Sequence, residues 1–431
     1  MPFLSPARLL LSSIAAALLL AACGGGDNDD TSTVRFINAT SGVGALDLVI
    51  DDETMVSAAP DATSDYFQIG DGIRTHEIRL TGTDSPVLTA DLGTVGGERY
   101  SIVAWGRDGA EQLSLLGEEE DEPSSGQTKV RLFNAAQDVG PLDLYLTDAH
   151  ASLDDVASKA DNVRTGSASG YAQMSKGAYR LRITGAGDTD DLRLDVPSVM
   201  FDDRARTTII VQQGRSGVLV HALLVVQEGG ATSLRNTKAR MRLVASVSSN
   251  GTVHAGIGNQ PLSAAALASP AIGSYLLVPS GPQLMSVTVN GGTVSAVTAN
   301  LLAGADYTLL AYGNAAAPAL KMSTDDNRLP SNGKAKMRLV HGAQGYDALT
   351  LSLDAVMVAD SMLGETSSYY SVDPNGGNAL IEVTSPYSND PLYTTEKSNG
   401  LTGVTIAQQG VYTVFMLGGN AAPRGVLRKE R

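Results

Sequence analysis

Four times along this chain an arginine stands between apolar residues at the head of a strand-like run. The runs are Val34-Arg35-Phe36-Ile37, Val130-Arg131-Leu132-Phe133, Met241-Arg242-Leu243-Val244 and Met337-Arg338-Leu339-Val340. The arginines lie 96, 111 and 96 residues apart. Two more signatures follow each of them in the same order. The first is a Tyr three residues before an apolar residue, then a turn Gly: Tyr66 to Ile69 with Gly72, Tyr171 to Met174 with Gly177, Tyr275 to Val278 with Gly281, and Tyr369 to Val372 with Gly376. The second is an apolar run reaching Gly six residues on: Tyr100 to Gly106, Thr208 to Gly214, Tyr307 to Gly313 and Tyr412 to Gly418. A period near one hundred residues is long enough for each copy to bury its own core, whereas solenoid units of about 20 to 50 residues cannot. The chain is therefore expected to form four domains, not one stacked array.

Within each copy the short runs alternate. In "LDLYL", Leu142, Leu144 and Leu146 share one face while Asp143 and Tyr145 take the other. "AYRLRITG" alternates again, with Arg180 and Arg182 on the expected solvent side. Gly is abundant at 46 residues, and Gly turns separate the runs. This pattern predicts an all-β chain of four tandem immunoglobulin-like β-sandwich domains at 33–120, 128–228, 238–324 and 334–428. The Cys-Trp-Cys pin of true immunoglobulin domains is missing, and Trp105 is the only tryptophan. Ser152–Val156, with an N-cap candidate and early acids, and the Ala-rich Ser263–Ser269 read as short helical connections. "GEEEDEPSSGQT" (117–128), "EGGATSLRNT" (228–237) and "STDDNRLPSNG" (323–333) read as linkers, giving a semi-flexible rod of beads.

The openings "VRFINAT" and "VRLFNAAQ", the "LDLYL" strand, the Tyr-to-Gly turn and the ending "YTLLAYG" resemble DUF4397 domains. The resemblance covers nearly all of 33–428 and is clearest in the first two copies. It implies a secreted or surface-attached bacterial protein, and it assigns no residue a role. In the fourth copy Thr350 replaces the acid of Asp47 and Asp143, and in the third the strand around His254 departs from the pattern.

The amino terminus carries a second resemblance. Arg8 precedes an uncharged run, Leu9 to Ala22, too short to span a bilayer as a helix. It fits the apolar part of a secretory signal at 1–22. Leu20-Ala21-Ala22-Cys23 resembles the lipobox of bacterial lipoproteins, and Cys23 is the only cysteine in 431 residues. The resemblance implies that Cys23 carries a lipid with palmitate-type acyl chains and becomes the first mature residue. Gly24 to Asp30 then serves as part of a flexible acidic leash, 23–32. Gly24, where an aspartate would retain the protein at the inner membrane, implies the outer membrane.

Chemistry is harder to find. The net charge of −15 repels nucleic acid, which is discarded as a partner. His76, His150, His221, His254 and His341 share no metal-ligand spacing and do not recur between copies, so each is read as a surface or packing histidine. No Gly-x-Ser-x-Gly elbow or Walker loop is present. "GDTDD" (187–191) and "STDDN" (323–327) could offer oxygens to Ca2+ but lack the full loop spacing, and solvated acids are the simpler reading. The block "EEEDE" (118–122) reads as a self-repelling linker. Asp47 and Asp143 are read as outward strand positions. The recurring tyrosines are read as core residues whose hydroxyls bond backbone, as in a tyrosine corner. No catalytic residue, cofactor or metal site is assigned. The expected function is a non-enzymatic binding, adhesion or structural module of the cell envelope. It is tethered to membrane by its lipid, with an envelope or extracellular protein or glycan as partner. The alternative is an envelope hydrolase or a polysaccharide-binding protein.

Overall fold

The computed structural model describes residues 30–215, 217–248, 251–395, 403–419 and 423–431. Cys23, the segment 1–22 and the leash up to Asp29 lie outside the described residues. The described residues contain no helix and form four units of two packed sheets, with a further two-stranded sheet, Asn375–Ala379 with Val404–Ile406, in the fourth, so the all-β sandwich reading holds.

Each unit uses its three sequence signatures as neighbouring strands of one sheet. In unit 1 the opening strand Thr31–Ser41 runs parallel to Arg99–Arg107, the strand that closes the unit. Its other edge pairs antiparallel with Phe67–Gly70, which follows Tyr66. The same three-strand arrangement recurs. Gln127–Asn134 pairs with Arg206–Gln213 and Ala172–Ser175 in unit 2. Lys238–Val247 pairs with Asp306–Asn314 and Leu276–Pro279 in unit 3. Ala335–His341 pairs with Val411–Leu417 and Tyr370–Val372 in unit 4. A last strand is added antiparallel to each closing strand: Gln112–Gly117, Val220–Val226, Ala317–Asp325 and Arg424–Lys429. The Gly that ends the closing run has positive φ in three units, +97° at Gly106, +88° at Gly313 and +91° at Gly418, where a side chain would be strained.

The second sheet of each unit packs on the first. Its inner strands include Leu46–Ile50 in unit 1, Leu142–Thr147 in unit 2, Thr252–Ile257 in unit 3 and Ala348–Leu353 in unit 4. The strand around His254 is therefore present despite its divergent sequence. Period-two alternation sets the cores: Val34, Phe36, Tyr100 and Ile102 point into unit 1, and Val130, Leu132, Ile209 and Val211 into unit 2.

The opposite face of the first sheet is not solvated. Ile37, Ala39, Val103 and Trp105 of unit 1 form one buried cluster with Phe133, Ala135, Ile210 and Leu223 of unit 2. Val244 and Leu310 of unit 3 do the same with Val340, Phe415 and Leu417 of unit 4. Strands buried on both faces explain why the opening runs read as nearly continuous apolar stretches. The rod of beads is thus corrected: sheets of neighbouring units pack face to face as 1 with 2 and 3 with 4. The halves also touch. Arg431 donates to the carbonyls of Asp138 and Val139 at 2.9 and 2.5 Å, and Leu329 N–H donates to Asp138 O at 3.2 Å.

Two expected linkers are partly strand: Ala231–Leu234 pairs with the last strand of unit 2, and Ala317–Asp325 runs into the third. Both helical expectations fail. Residues 152–156 form turns, with Leu153 buried, and Leu267–Ala268 pairs with Thr252–Val253. Segments of five and seven residues cannot offset the cost of helix nucleation, and tertiary pairing takes them instead.

Candidate functional site

The four repeated arginines meet at the faces just described. Register places Arg35 opposite Ser101, Arg131 opposite Thr208, Arg242 opposite Thr308 and Arg338 opposite Thr413. In every unit the arginine Nε donates to that hydroxyl, at 2.9, 2.8, 2.9 and 3.2 Å respectively. The recurring tyrosine lies against the same guanidinium. The guanidinium carbon stands 5.0 Å from the ring centre of Tyr66, and 4.7, 4.4 and 4.6 Å from those of Tyr171, Tyr275 and Tyr369. Arg35, Arg242 and Arg338 are each 1% exposed, which for a charged side chain demands a partner.

The partners come from one structural position, the residue that pairs with the one just before Tyr100, Thr207, Tyr307 and Tyr412. It is Glu118 in unit 1, Asp325 in unit 3 and Glu430 in unit 4, while Gln227 holds the matching place in unit 2 and donates to Glu118 O. Glu118 accepts from Arg35, Ser101 and Tyr66. Asp325 accepts from Tyr275 at 2.6 Å and Thr308 at 2.5 Å. It also faces Arg338 Nη2 at 2.8 Å, in ionic contact without hydrogen-bond alignment, and Arg242 Nη2 at 3.8 Å. Glu430 takes two bonds from Arg242 Nη1, at 2.8 and 2.9 Å. The tyrosine hydroxyls bond side chains, Glu118 for Tyr66, Asp325 for Tyr275, Thr208 at 3.5 Å for Tyr171, and Thr413 and Asn327 at 3.4 Å for Tyr369, and Tyr66 also accepts the backbone N–H of Glu228 at 3.2 Å.

These groups clasp one unit to the next. Arg35 Nη1 donates to Val226 O and Gly229 O of unit 2 at 3.0 and 2.8 Å, and Arg131 Nη2 returns a bond to Gly117 O of unit 1 at 3.0 Å. In the second pair Arg242 of unit 3 reaches Glu430 of unit 4, while Arg338 of unit 4 reaches Asp325 of unit 3. Ser246 adds a bond to Gly342 O at 2.7 Å and accepts Gly418 N–H at 2.8 Å. Burial opposes the charge on Asp325, but Arg338 and Arg242, with bonds from Thr308 and Tyr275, outweigh it and hold the carboxyl below its ordinary value. Burial, then the Asp325 charge, pushes the Tyr275 phenol well up. What this arrangement does chemically is hold charge rigidly between sheets; its acids are already committed to arginines.

The individually considered residues fall into place. Glu118, assigned by sequence to a self-repelling linker, is instead buried against Arg35, and Glu120 and Glu122 pair with Lys129 and Arg204. The two acidic segments are partly strand, Asp188–Phe201 and Ala317–Asp325, and in them Asp191 pairs with Arg193, and Asp326 with Arg328 and Lys336. Among the described residues no group of His, Cys, Asp or Glu is arranged to hold a metal ion. Asp143 is not outward. It is 4% exposed and accepts the N–H groups of Asn162 at 2.6 Å and Gly187 at 2.8 Å. Asp47 takes the hydroxyls of Ser57 and Thr81 at 2.5 and 2.7 Å. Arg182 is buried, donating to Thr147 and Ala151 O at 2.6 and 2.9 Å, while Arg180 pairs with Asp195.

His341 is explained by the repeat. It stands three residues after Arg338, where units 1 and 2 have Asn38 and Asn134. Each Asn amide donates to a loop carbonyl and to the carbonyl of a strand's last residue, Ala58 or Val163, and accepts an N–H two residues on. His341 bonds Tyr346 O through Nε2 at 2.8 Å and accepts Ala343 N–H at 3.3 Å, the same corner made with a different ring. Burial lowers its pKa. His76 is buried with Nδ1 2.9 Å from Arg74 O. His150 lies in a turn, and His254 sits on Thr252–Ile257. The acids at 118 and 325 were missed from sequence, although a signal existed: each lies 83 residues beyond its unit's arginine, Arg35 or Arg242.

One family model matches, that of a domain of unknown function, DUF4397, over residues 32–145 and 239–352, just over half of the chain. Each match runs through one unit and into the next. No curated protein matches the chain. Among solved structures, a candidate cell adhesion protein from Bacteroides ovatus is 12% identical, with 47% of this chain and 98% of that one covered and a TM-score of 0.21. A candidate cell adhesion protein from Bacteroides fragilis is 12% identical over 43% of this chain and 84% of that one, with a TM-score of 0.15. The Bacillus anthracis TIE protein is 9% identical over 88% and 66%, also at 0.15.

Proposed function

The chain belongs to the DUF4397 family, and from that premise we propose that it is a non-enzymatic binding or adhesion module of the bacterial cell envelope, tethered by a lipid on Cys23. One observation carries the reading. The arginine that recurs in all four units bonds across to the neighbouring unit, and the recurring tyrosine and hydroxyl hold its guanidinium in place. Repetition here builds a stiff body, and its exposed faces remain for contact with a partner. A stiff body on a Gly- and Asp-rich leash suits display away from a membrane, since the leash supplies reach and the clasps supply a fixed surface. The lone Cys23 after Leu20-Ala21-Ala22 supports the tether, and Gly24 supports the outer membrane. Its partner on this reading is an envelope or extracellular protein or glycan.

The test is mass spectrometry of the mature amino terminus from membrane fractions, beside Cys23→Ser. A lipid-sized mass on Cys23, with the variant released or unprocessed, upholds the tether. An unmodified or removed Cys23 overturns it.

A further inference from the structure

A cleft of about 380 Å3 opens where loops of units 1 and 2 meet the segment joining units 3 and 4. Four arginines line it, Arg107, Arg215, Arg235 and Arg328, in a chain whose net charge is −15. Three have one carboxylate each. Arg107 gives its Nε to Asp138 at 3.2 Å, Arg235 gives one Nη to Asp61, and Arg328 takes Asp326 at 2.8 Å. A guanidinium carries five N–H groups, so Arg107 and Arg235 keep donors to spare. Arg215 is exposed and has no carboxylate within ion-pair distance among the described residues. Asp108 also lines the cleft.

His221 and Gln213 are among the neutral residues that also line it. His221 Nδ1 accepts the Asn236 N–H at 2.9 Å, so the neutral ring carries its proton on Nε2. Gln213 is 4% exposed, and its Oε1 is buried without a hydrogen-bond partner. A bare oxyanion would satisfy the guanidiniums but not that amide oxygen, which needs a donor. A hydroxyl beside an acidic group meets both requirements.

We propose that this cleft binds a hydroxylated oxyanion, of the kind presented by a uronic-acid sugar. This rests on the reading of the chain as a binding module and names its ligand class. The guanidiniums of Arg215 and Arg107 take the carboxylate, and Gln213 takes a hydroxyl.

The experiment is isothermal titration of the chain with galacturonate, galactose, inorganic sulfate and polygalacturonate, repeated on Arg215→Glu. Arg215 is exposed, so the variant is expected to melt with the wild type. Saturable binding of galacturonate is expected, with none of galactose and sulfate weaker than galacturonate. Arg215→Glu is expected to lower galacturonate affinity by at least about tenfold. Polymer binding tighter than the monomer points to a polysaccharide source, and equal binding to a free acid. Absence of saturable galacturonate binding, or an unchanged affinity in Arg215→Glu, overturns the site. Lipid on Cys23 with an inert cleft sinks only this inference, whereas binding by a chain without lipid sinks only the tether.

Discussion

Replacing Asp325 with Ala removes the carboxylate on which the second clasp converges. The side chain is fully buried and serves Tyr275, Thr308 and Arg338, with Arg242 at its edge. Its loss leaves Arg338 without an acid and Arg242 with Glu430 alone. Removing one member of a buried ion pair costs about 3–5 kcal/mol, because the remaining charge stays desolvated. For a cooperative body of about 200 residues, each kcal/mol shifts Tm by roughly 2–4 °C, so a fall of about 6–20 °C is expected by calorimetry. Asp325→Ala with Arg338→Met should recover much of that loss, since an apolar side chain removes the stranded charge. A fall below about 1 kcal/mol, the size of an exposed pair, would refute the reasoning, as would a double variant less stable than the single. The pH response has a definite sign. The folded carboxyl titrates below its ordinary value, so its contribution is complete above about pH 4 and is lost as pH falls through the lower folded value. Acid unfolding of wild type below about pH 4 should therefore flatten in Asp325→Ala.

Other outcomes follow from the same geometry. Glu118→Ala should cost the first pair about 3–5 kcal/mol, whereas Gln227→Ala at the matching position should cost far less, since no charge is stranded; urea titrations compare them. Phe133→Ala should cost about 3–5 kcal/mol and shift Trp105 emission to the red, because the two rings meet edge to face at 5.9 Å between units. Burial first, and then Arg235, presses the His221 imidazole down to about 4. Its NMR signal should stay that of a neutral ring at pH 5.5. Because the unfolded chain protonates near 6.5 and the folded ring does not, His221 should draw stability down as pH falls from about 6.5 toward 4; His221→Gln should remove that slope.

The repeat was legible because the period and the three signatures sit in plain sequence. Those signatures turned out to be three adjacent strands of one sheet, which the order of residues alone does not reveal. The inner faces were legible too, from alternations such as Leu142, Leu144 and Leu146. The outer faces were not. An Arg within Val34-Arg35-Phe36-Ile37 looks like a solvent-facing residue until a second sheet covers it, and only tertiary packing decides that. Glu118 and Asp325 were hidden by local context, since an acid inside "EEEDE" or "STDDN" reads as loop composition. Lys238–Val247 and Ala335–His341 carry the same clasp with a Met before the arginine, so the physics survived where the wording changed. Arg182 and Asp143 mislead in the same direction: alternation names a face, and says nothing of what lies over it.

Trp105 offers the most direct measurement. The only tryptophan points away from the core of its own unit and is 7% exposed because unit 2 covers it. In a rod of independent beads it would face water. Acrylamide quenching of the native full chain decides between the two. Weak quenching and blue-shifted emission, both lost together on unfolding, are the expected result. Quenching in the native chain as strong as in the unfolded one would mean that the sheets are not packed face to face and that the clasps are not formed.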